Sequence, residues 1–146
     1  MTQEEFIKIL KEKGYSYKME GDKIIVTHRG HVNLRFLTSL PPGVEFKNMG
    51  DVFLDSLTGL PSDMEFINSG YVYLSGLKIL PPDVKFENKG SVILYSLTTI
   101  PPGVHFENGG NVRLSGLGWV NDNKGIGIEG VENKRLLLMI KKELFI

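Results

Sequence analysis

Glycine stands at positions 30, 50, 70, 90 and 110, a period of 20 residues without slippage. No other feature restricts the fold as much, because a fixed short period is the signature of a chain built from stacked identical units. Valine follows two residues later each time, at Val32, Val52, Val72, Val92 and Val112. Leu34, Leu54, Leu74, Leu94 and Leu114 come next, and then Leu37, Leu57, Leu77, Leu97 and Leu117. Leu40, Leu60, Leu80, Ile100 and Val120 occupy the following apolar position, with Pro41, Pro61, Pro81 and Pro101 behind the first four. Each unit closes on Val44, Met64, Val84 or Val104, then Phe46, Phe66, Phe86 or Phe106, then Asn48, Asn68, Asn88 or Asn108. The consensus is G-x-V-x-L-x-x-L-x-x-L-P-P-x-V-x-F-x-N-x.

Twenty residues are too few for a helix pair, so the unit must consist of short strands and turns. V-x-L and V-x-F-x-N alternate as strands with one buried face. The i, i+3 steps from Leu34 to Leu37 to Leu40 break that alternation and predict a bend. Proline predicts a second corner, and glycine, tolerant of positive φ, a third. Stacked copies give parallel, in-register strands ~4.8 Å apart, so five coils span roughly 24 Å. The recurrent asparagine predicts a ladder, each amide bonding backbone at its turn and the amide one coil away. The register extends beyond the full copies. Ile24, Val26 and His28 fall where Val44, Phe46 and Asn48 sit, predicting a leading half coil. Ile126 and Ile128 fall at the Phe and Asn positions, predicting a decayed last one.

Open strand ladders aggregate, so both ends need covers. Thr2-Gln3-Glu4-Glu5 has capping-box spacing ahead of Phe6, Ile9 and Leu10, with Gly14 as a stop. Asn133 precedes the amphipathic stretch Arg135 to Leu144. The expected fold is therefore an all-β, single β-solenoid resembling a parallel β-helix, with a helical cap at each end. Its parts are residues 1–21 (cap helix and lead-in), 22–128 (coils) and 129–146 (second cap helix), together one domain. A leucine-rich-repeat-like arrangement is the alternative.

Ser39-Leu40-Pro41-Pro42-Gly43-Val44-Glu45-Phe46-Lys47-Asn48 resembles the short leucine-rich-like solenoid repeat S-L-x-S-L-P-x-G-V-x-F-x-N-x-G-x-V-x-L of uncharacterised phage and bacterial proteins. The likeness runs from residue 22 to about 128. It implies architecture rather than activity. By analogy it implies a phage-encoded modulator that binds a host protein. Bacterial leucine-rich repeats of similar length carry L-x-L-x-x-N. Here Leu77 stands where that asparagine would follow Val72-Tyr73-Leu74-Ser75-Gly76, which favours a compact solenoid over a horseshoe.

Composition narrows the function classes. Lys+Arg and Asp+Glu both number 17, so no net field steers the chain toward nucleic acid or acidic lipid. The absence of cysteine excludes disulfides and thiol chemistry. No signal-peptide pattern opens the chain and no apolar run reaches the ~20 residues of a membrane span, so a cytoplasmic protein is expected. Gly125-Ile126-Gly127-Ile128-Glu129-Gly130 matches G-x-G-x-x-G, but no hydrophobic strand precedes it, so it is read as accidental and no cofactor is expected. His28, His31 and His105 do not converge on a metal site in this register. Asp51 and Asp55 share an outer face with Phe53 and are read as a solvated pair rather than a catalytic one. No catalytic motif occurs, so an enzyme is not expected.

The outer faces carry the functional expectation. On the V-x-F strands they hold Glu45/Lys47, Glu65/Ile67, Lys85/Glu87 and His105/Glu107, a mixed charged surface suited to solubility. On the V-x-L strands, Phe53, Tyr73 and Ile93 form a column flanked by Tyr71 and Tyr95 and rimmed by Arg35, Asp51, Asp55 and Arg113. An aromatic centre with a charged rim is the anatomy of a protein-binding patch. The expectation is a non-catalytic module that docks a protein partner, or a second copy of itself, through these residues. No nucleic-acid, membrane or small-molecule partner is expected. The competing reading is a rigid structural element, in which stacked aromatics only stabilise the sheet.

Overall fold

The structure, a computed structural model, describes residues 1–97, 101, 104–107, 109–114, 118–121 and 125–127. It begins with a helix, α1, over Gln3–Lys13. The capping box is formed at its start. Thr2 Oγ1 accepts from the Glu5 backbone N–H at 3.1 Å, and a Glu5 carboxylate oxygen accepts from the Thr2 N–H at 3.0 Å. Gly14 ends the helix at φ 71°. Phe6 and Leu10 are fully buried and join the same core as the repeat positions, so α1 closes one end of the stack. The Gln3 side-chain amide fixes it further, its Nε2 donating to the carbonyls of Asp22 (2.6 Å) and Pro42 (2.8 Å). After the helix the lead-in is itself a strand: β1 (Tyr17–Glu20) pairs antiparallel with β2 (Lys23–Val26).

Two sheets then build the solenoid, one strand per sheet in each coil. In the V-x-F sheet, β2 is followed by β4 (Val44–Phe46), β6 (Glu65–Phe66), β8 (Lys85–Phe86) and β10 (His105–Phe106), all parallel. The V-x-L sheet stacks β3 (Val32–Asn33), β5 (Val52–Phe53), β7 (Val72–Tyr73), β9 (Val92–Ile93) and β11 (Val112–Leu114), again parallel. Every residue pairs with the one 20 positions away, as Phe46 does with Phe66 and Tyr73 with Ile93. The leading half coil is present: Ile24 pairs with Val44 and Val26 with Phe46. Between the sheets lie the repeat Val, Leu and Phe side chains, nearly all fully buried. Phe46, Phe66, Phe86 and Phe106 form a continuous stack, with centroids 5.4, 5.1 and 5.0 Å apart and planes within 6°.

The bends fall where the leucine spacing placed them. Leu37 N–H closes onto the Leu34 carbonyl at 3.1 Å, and the same turn recurs at Leu57, Leu77 and Leu97. At the proline corner the positive φ belongs to the residue before the V-x-F strand: Gly43 at 81°, Asp63 at 60° and Asp83 at 65°. That differs from the expectation that the repeat glycines occupy this conformation. Gly50, Gly70 and Gly90 are required for a different reason, the close approach of adjacent coils. A Cβ on Gly70 would lie 2.6 Å from the Gly50 carbonyl carbon and 2.7 Å from the Asp51 nitrogen.

The asparagine ladder also differs from expectation in its partners. Asn68 Nδ2 donates to the carbonyls of Gly50 (3.3 Å) and Gly70 (3.1 Å), and Asn88 donates to Gly70 (3.3 Å) and Gly90 (2.8 Å). Each amide thus clamps the glycine corner of its own coil to that of the coil before it. The amides do not bond one another; Oδ1 of Asn48, Asn68 and Asn88 is buried without a hydrogen-bond donor. Asn108 lies outside the described residues.

The far end departs from the coil pattern. β12 (Gly118–Asn121) turns back antiparallel onto β11, setting Val120 against Val112 and Trp119 against Arg113. Val120 therefore sits on a strand and not at the predicted corner. β13 (Gly125–Gly127) pairs antiparallel with β12, with Ile126 against Val120. It extends the V-x-L sheet instead of forming a half coil in the V-x-F sheet. Both departures follow from the loss of the proline corner, since Trp119-Val120-Asn121 continues as strand where earlier coils turn at Leu-Pro. Residue 128 and the helix expected over 129–146 lie outside the described residues.

Candidate docking face

The V-x-L sheet presents its odd-numbered positions outward because pleat alternation buries Val72 and Leu74 and leaves Tyr71, Tyr73 and Ser75 on the other side. Parallel in-register stacking then aligns like positions of successive coils in columns. Down the central column, Phe53 and Tyr73 stack with centroids 4.8 Å apart and planes 9° apart. Ile93 continues the column and is only 6% exposed. Arg35 lies over the Phe53 ring at 4.2 Å, and His31 meets its edge at 6.2 Å. Phe53 is therefore covered from its own sheet.

The rim carboxylates are engaged one coil away. Asp51 Oδ1 accepts from the Tyr71 backbone N–H at 2.7 Å, and the Asp51 N–H donates to His31 Nδ1 at 2.9 Å. Asp55 receives the Arg35 Nε at 3.0 Å on one oxygen and the Ser75 hydroxyl at 2.7 Å on the other. Ser91 plays the same part as Asp51, its Oγ accepting from the Asn111 N–H at 3.0 Å. These side chains extend the backbone ladder at the outer edge of the strands. Both aspartates are thus engaged in bonds between successive coils.

What remains open lies further along the stack. Tyr71 and Tyr95 are 44% and 46% exposed, and together with Tyr73, Ile93, Asp55 and Arg113 they border an open-sided cleft of about 380 Å³. Ser75, Ser91 and Asn111 complete its lining. The structure thus brings six of the nine expected site residues around one depression. Phe53, Arg35 and Asp51 lie beside it in the adjoining coils. The Arg113 side chain is exposed and forms no ion pair among the described residues. The Tyr73 hydroxyl is held above its ordinary value of 10.0, chiefly by burial and then by the nearby Asp51 charge. Sequence reading passed over the two serines because small polar residues on an outer strand face carry no distinctive pattern. Only the neighbouring tyrosines make a depression above them.

The other candidate features among the described residues are shallower or already engaged. On the V-x-F face Glu45 is 5% exposed and receives Lys23 at 2.7 Å and Lys47 at 3.7 Å. Glu87, His105 and Glu107 bring three ligand atoms within 4.8 Å of one another, fully on the surface, with His105 already against Glu107 at 2.9 Å. His28 is held apart from them, accepting from the Ser16 N–H at 3.3 Å. A second depression, about 350 Å³, lies over the first proline corners between Thr38 and Thr58 and is lined by no titratable group. Gly125 and Gly127 lie on a strand, whereas the dinucleotide fingerprint needs a strand-to-helix turn. No described helix is long and apolar enough to cross a membrane.

Together these features define a β-solenoid of two parallel sheets with a helical cap at its N-terminal end. Comparison with protein-family models, with curated proteins and with solved structures gives no match to the chain.

Proposed function

We propose that the protein is a non-catalytic binding module that docks a protein partner through its V-x-L face. The observation that carries this reading is the grouping of two half-exposed tyrosines, Tyr71 and Tyr95, with an exposed Arg113 that has no ion pair among the described residues, around a cleft floored by Ile93. Tyrosine and arginine dominate the energy of protein interfaces because both combine large flat area with hydrogen bonding, and tyrosine loses little rotamer freedom. Serine and asparagine between them supply adaptable polar contacts, as they do in binding loops. The engagement of Asp51 and Asp55 in coil-to-coil bonds supports a non-catalytic role. Resemblance of the repeat to phage and bacterial solenoids supports, by analogy alone, a host protein as the partner and the cytoplasm as the place of action.

The rigid-element reading is favoured for part of the patch. Phe53, Arg35, Asp51 and Asp55 all bind neighbours within the sheet, so their contribution is cohesion. Docking rests on Tyr71, Tyr95 and Arg113. A photocrosslinking residue placed at position 95, and in a control at position 87 on the opposite sheet, tests the proposal in cells. Protein adducts are expected from position 95, absent from position 87, and removed from position 95 by Tyr71→Lys. Equal adducts from both faces would leave the rigid-element reading in place.

A further inference from the structure

We infer that the free edge of β1, at the α1 end of the V-x-F sheet, takes up one further strand, supplied as an extended segment of another protein. This surface is separate from the V-x-L face and does not depend on the docking reading of that face. β1 is the outermost strand of its sheet. The Thr27 N–H donates to the Ser16 carbonyl at 2.9 Å, which sets the alternation of bonded pairs between β1 and β2. Lys18 and Glu20 therefore face Ile25 and Lys23 in bonded pairs, whereas the N–H and C=O groups of Tyr17 and Met19 point away from β2. Those four groups have no hydrogen-bond partner among the described residues.

The side chains agree. Met19 pairs with Ile24 and so lies on the core face, at the head of the column Ile24, Val44, Met64 and Val84. Those four are at most 1% exposed, whereas Met19 is 46% exposed. Each of the four has a neighbour on both sides, and Met19 has one on a single side. The corresponding edge of the V-x-L sheet is closed. There the Tyr15 hydroxyl accepts from the Asn33 N–H at 3.0 Å and donates to the Asn33 carbonyl at 3.4 Å, and Asn33 Oδ1 accepts from the Arg35 N–H at 3.2 Å. A free edge is a template for pairing, and this chain covers one edge and leaves the other open.

Space identifies the occupant. α1 closes the end of the core, and a helix is about 10 Å thick, which is two strand spacings of ~4.8 Å. β1 fills the first spacing and leaves the second for one strand along its edge. Two copies joined β1 to β1 would set their β2 strands only ~14 Å apart, whereas the two cap helices between them need ~20 Å. The four-residue edge also offers only ~140 Å², against ~800 Å² per partner in a stable complex. A single extended segment satisfies both limits. Run antiparallel, the more stable pairing, it exchanges two hydrogen bonds with Met19 and two with Tyr17. Its side chains facing Met19 and Tyr17 must be apolar. Those beside Lys18 and Glu20 need only be polar, because these two satisfy each other at 2.8 Å.

The probe is the synthetic peptide acetyl-Lys-Thr-Val-Thr-Val-Thr-Lys-amide, titrated to about 5 mM into isotope-labelled protein and followed by amide NMR. Binding near ~1 mM is expected for so short an edge, with shifted and more slowly exchanging amides at Tyr17 and Met19 and unchanged ones at Phe53 and Tyr95. Met19→Pro removes an outward N–H and no β1–β2 bond, so the fold is expected to persist and binding to weaken at least ~10-fold. The same peptide with both valines N-methylated is expected not to bind, and it keeps the test decisive should Met19→Pro fail to fold. Silent Tyr17 and Met19 amides at the highest peptide concentration, or equal binding of the N-methylated peptide, would overturn the inference. So would a concentration-dependent dimer of the protein alone that Met19→Pro abolishes, because the occupant would then be a second copy.

Discussion

Alanine at Gly70 and at Gly30 should give opposite results although the two glycines occupy the same repeat position. A Cβ at Gly70 would sit 2.6 Å from the carbonyl carbon of Gly50 and 2.7 Å from the nitrogen of Asp51, with the Asp51 carboxylate oxygen nearer still. Ordinary contact begins at 3.4 Å, so the coils must part by 3.4 − 2.6 = 0.8 Å at that corner. The obstacle is backbone and has no rotamer to turn aside. Parting stretches the Ser69-to-Asn48 ladder bond from 3.0 Å and the Asn68-to-Gly50 bond from 3.3 Å. Overpacking costs about 1–3 kcal/mol and two weakened hydrogen bonds about 1 kcal/mol each, so a loss of ~3–5 kcal/mol is expected. In a domain of this length that lowers Tm by roughly 10–15 °C.

At Gly30 there is no preceding V-x-L coil, and the nearest atom to an added Cβ is the His28 ring nitrogen at 3.4 Å. Alanine there meets a side chain that can move and removes unfolded-state entropy, so the change should lie between zero and about 1 kcal/mol of stabilisation. Thermal unfolding by circular dichroism and urea titration of both variants provides the comparison. Equal destabilisation at the two sites would refute close coil approach as the reason for the glycine column, and a loss under ~1 kcal/mol at Gly70 would do the same.

Asn68→Ala strips the glycine carbonyls of positions 50 and 70 of a buried donor and leaves a void, which should cost ~2–4 kcal/mol. A urea midpoint shifted no further than in exposed Asn33→Ala would show that the ladder contributes nothing. Above pH 10 the fold should weaken. The folded chain retains the Tyr73 phenol proton where the unfolded chain releases it, since burial and Asp51 raise its pKa above 10.0. Lys23, raised by its hydrogen bond and charge pairing with Glu45, acts in the same direction but is solvent-screened. The decline in Tm between about pH 9 and pH 11 should therefore be shallower in Tyr73→Phe, and an unchanged slope would exclude Tyr73 as a source.

The positions of the elements were legible to an unusual degree. Val32 to Val112, Leu34 to Leu114, Leu37 to Leu97 and Phe46 to Phe106 all lie in the core, because a side chain that recurs every coil meets the same neighbours in every coil. The helix start at Thr2 and its stop at Gly14 were legible because caps are local chemistry. Two local readings misled. Glycine's tolerance of positive φ suggested a corner, but Gly43, Asp63 and Asp83 hold that conformation. The approach of Gly70 to Gly50 is a tertiary distance that no local pattern encodes. After Gly118 the spacing still matched the repeat, yet Val120 pairs back onto Val112, because without the proline corner the chain is at liberty to form a hairpin.

The candidate face divides along the same line. The sequence alone determined which residues point outward on the V-x-L sheet, since pleat alternation and the 20-residue register decide that together. It also determined that aromatic residues gather there while the opposite face is charged. Only the tertiary structure decided which of those residues are already occupied. Arg35 turns onto Phe53 and Asp55, and Asp51 onto Tyr71 N–H, whereas Tyr71, Tyr95 and Arg113 remain open. The reason is physical: orientation sets a side chain's face, but its partner depends on the rotamer that its neighbour one coil away leaves available. That choice is made only when the coils are stacked.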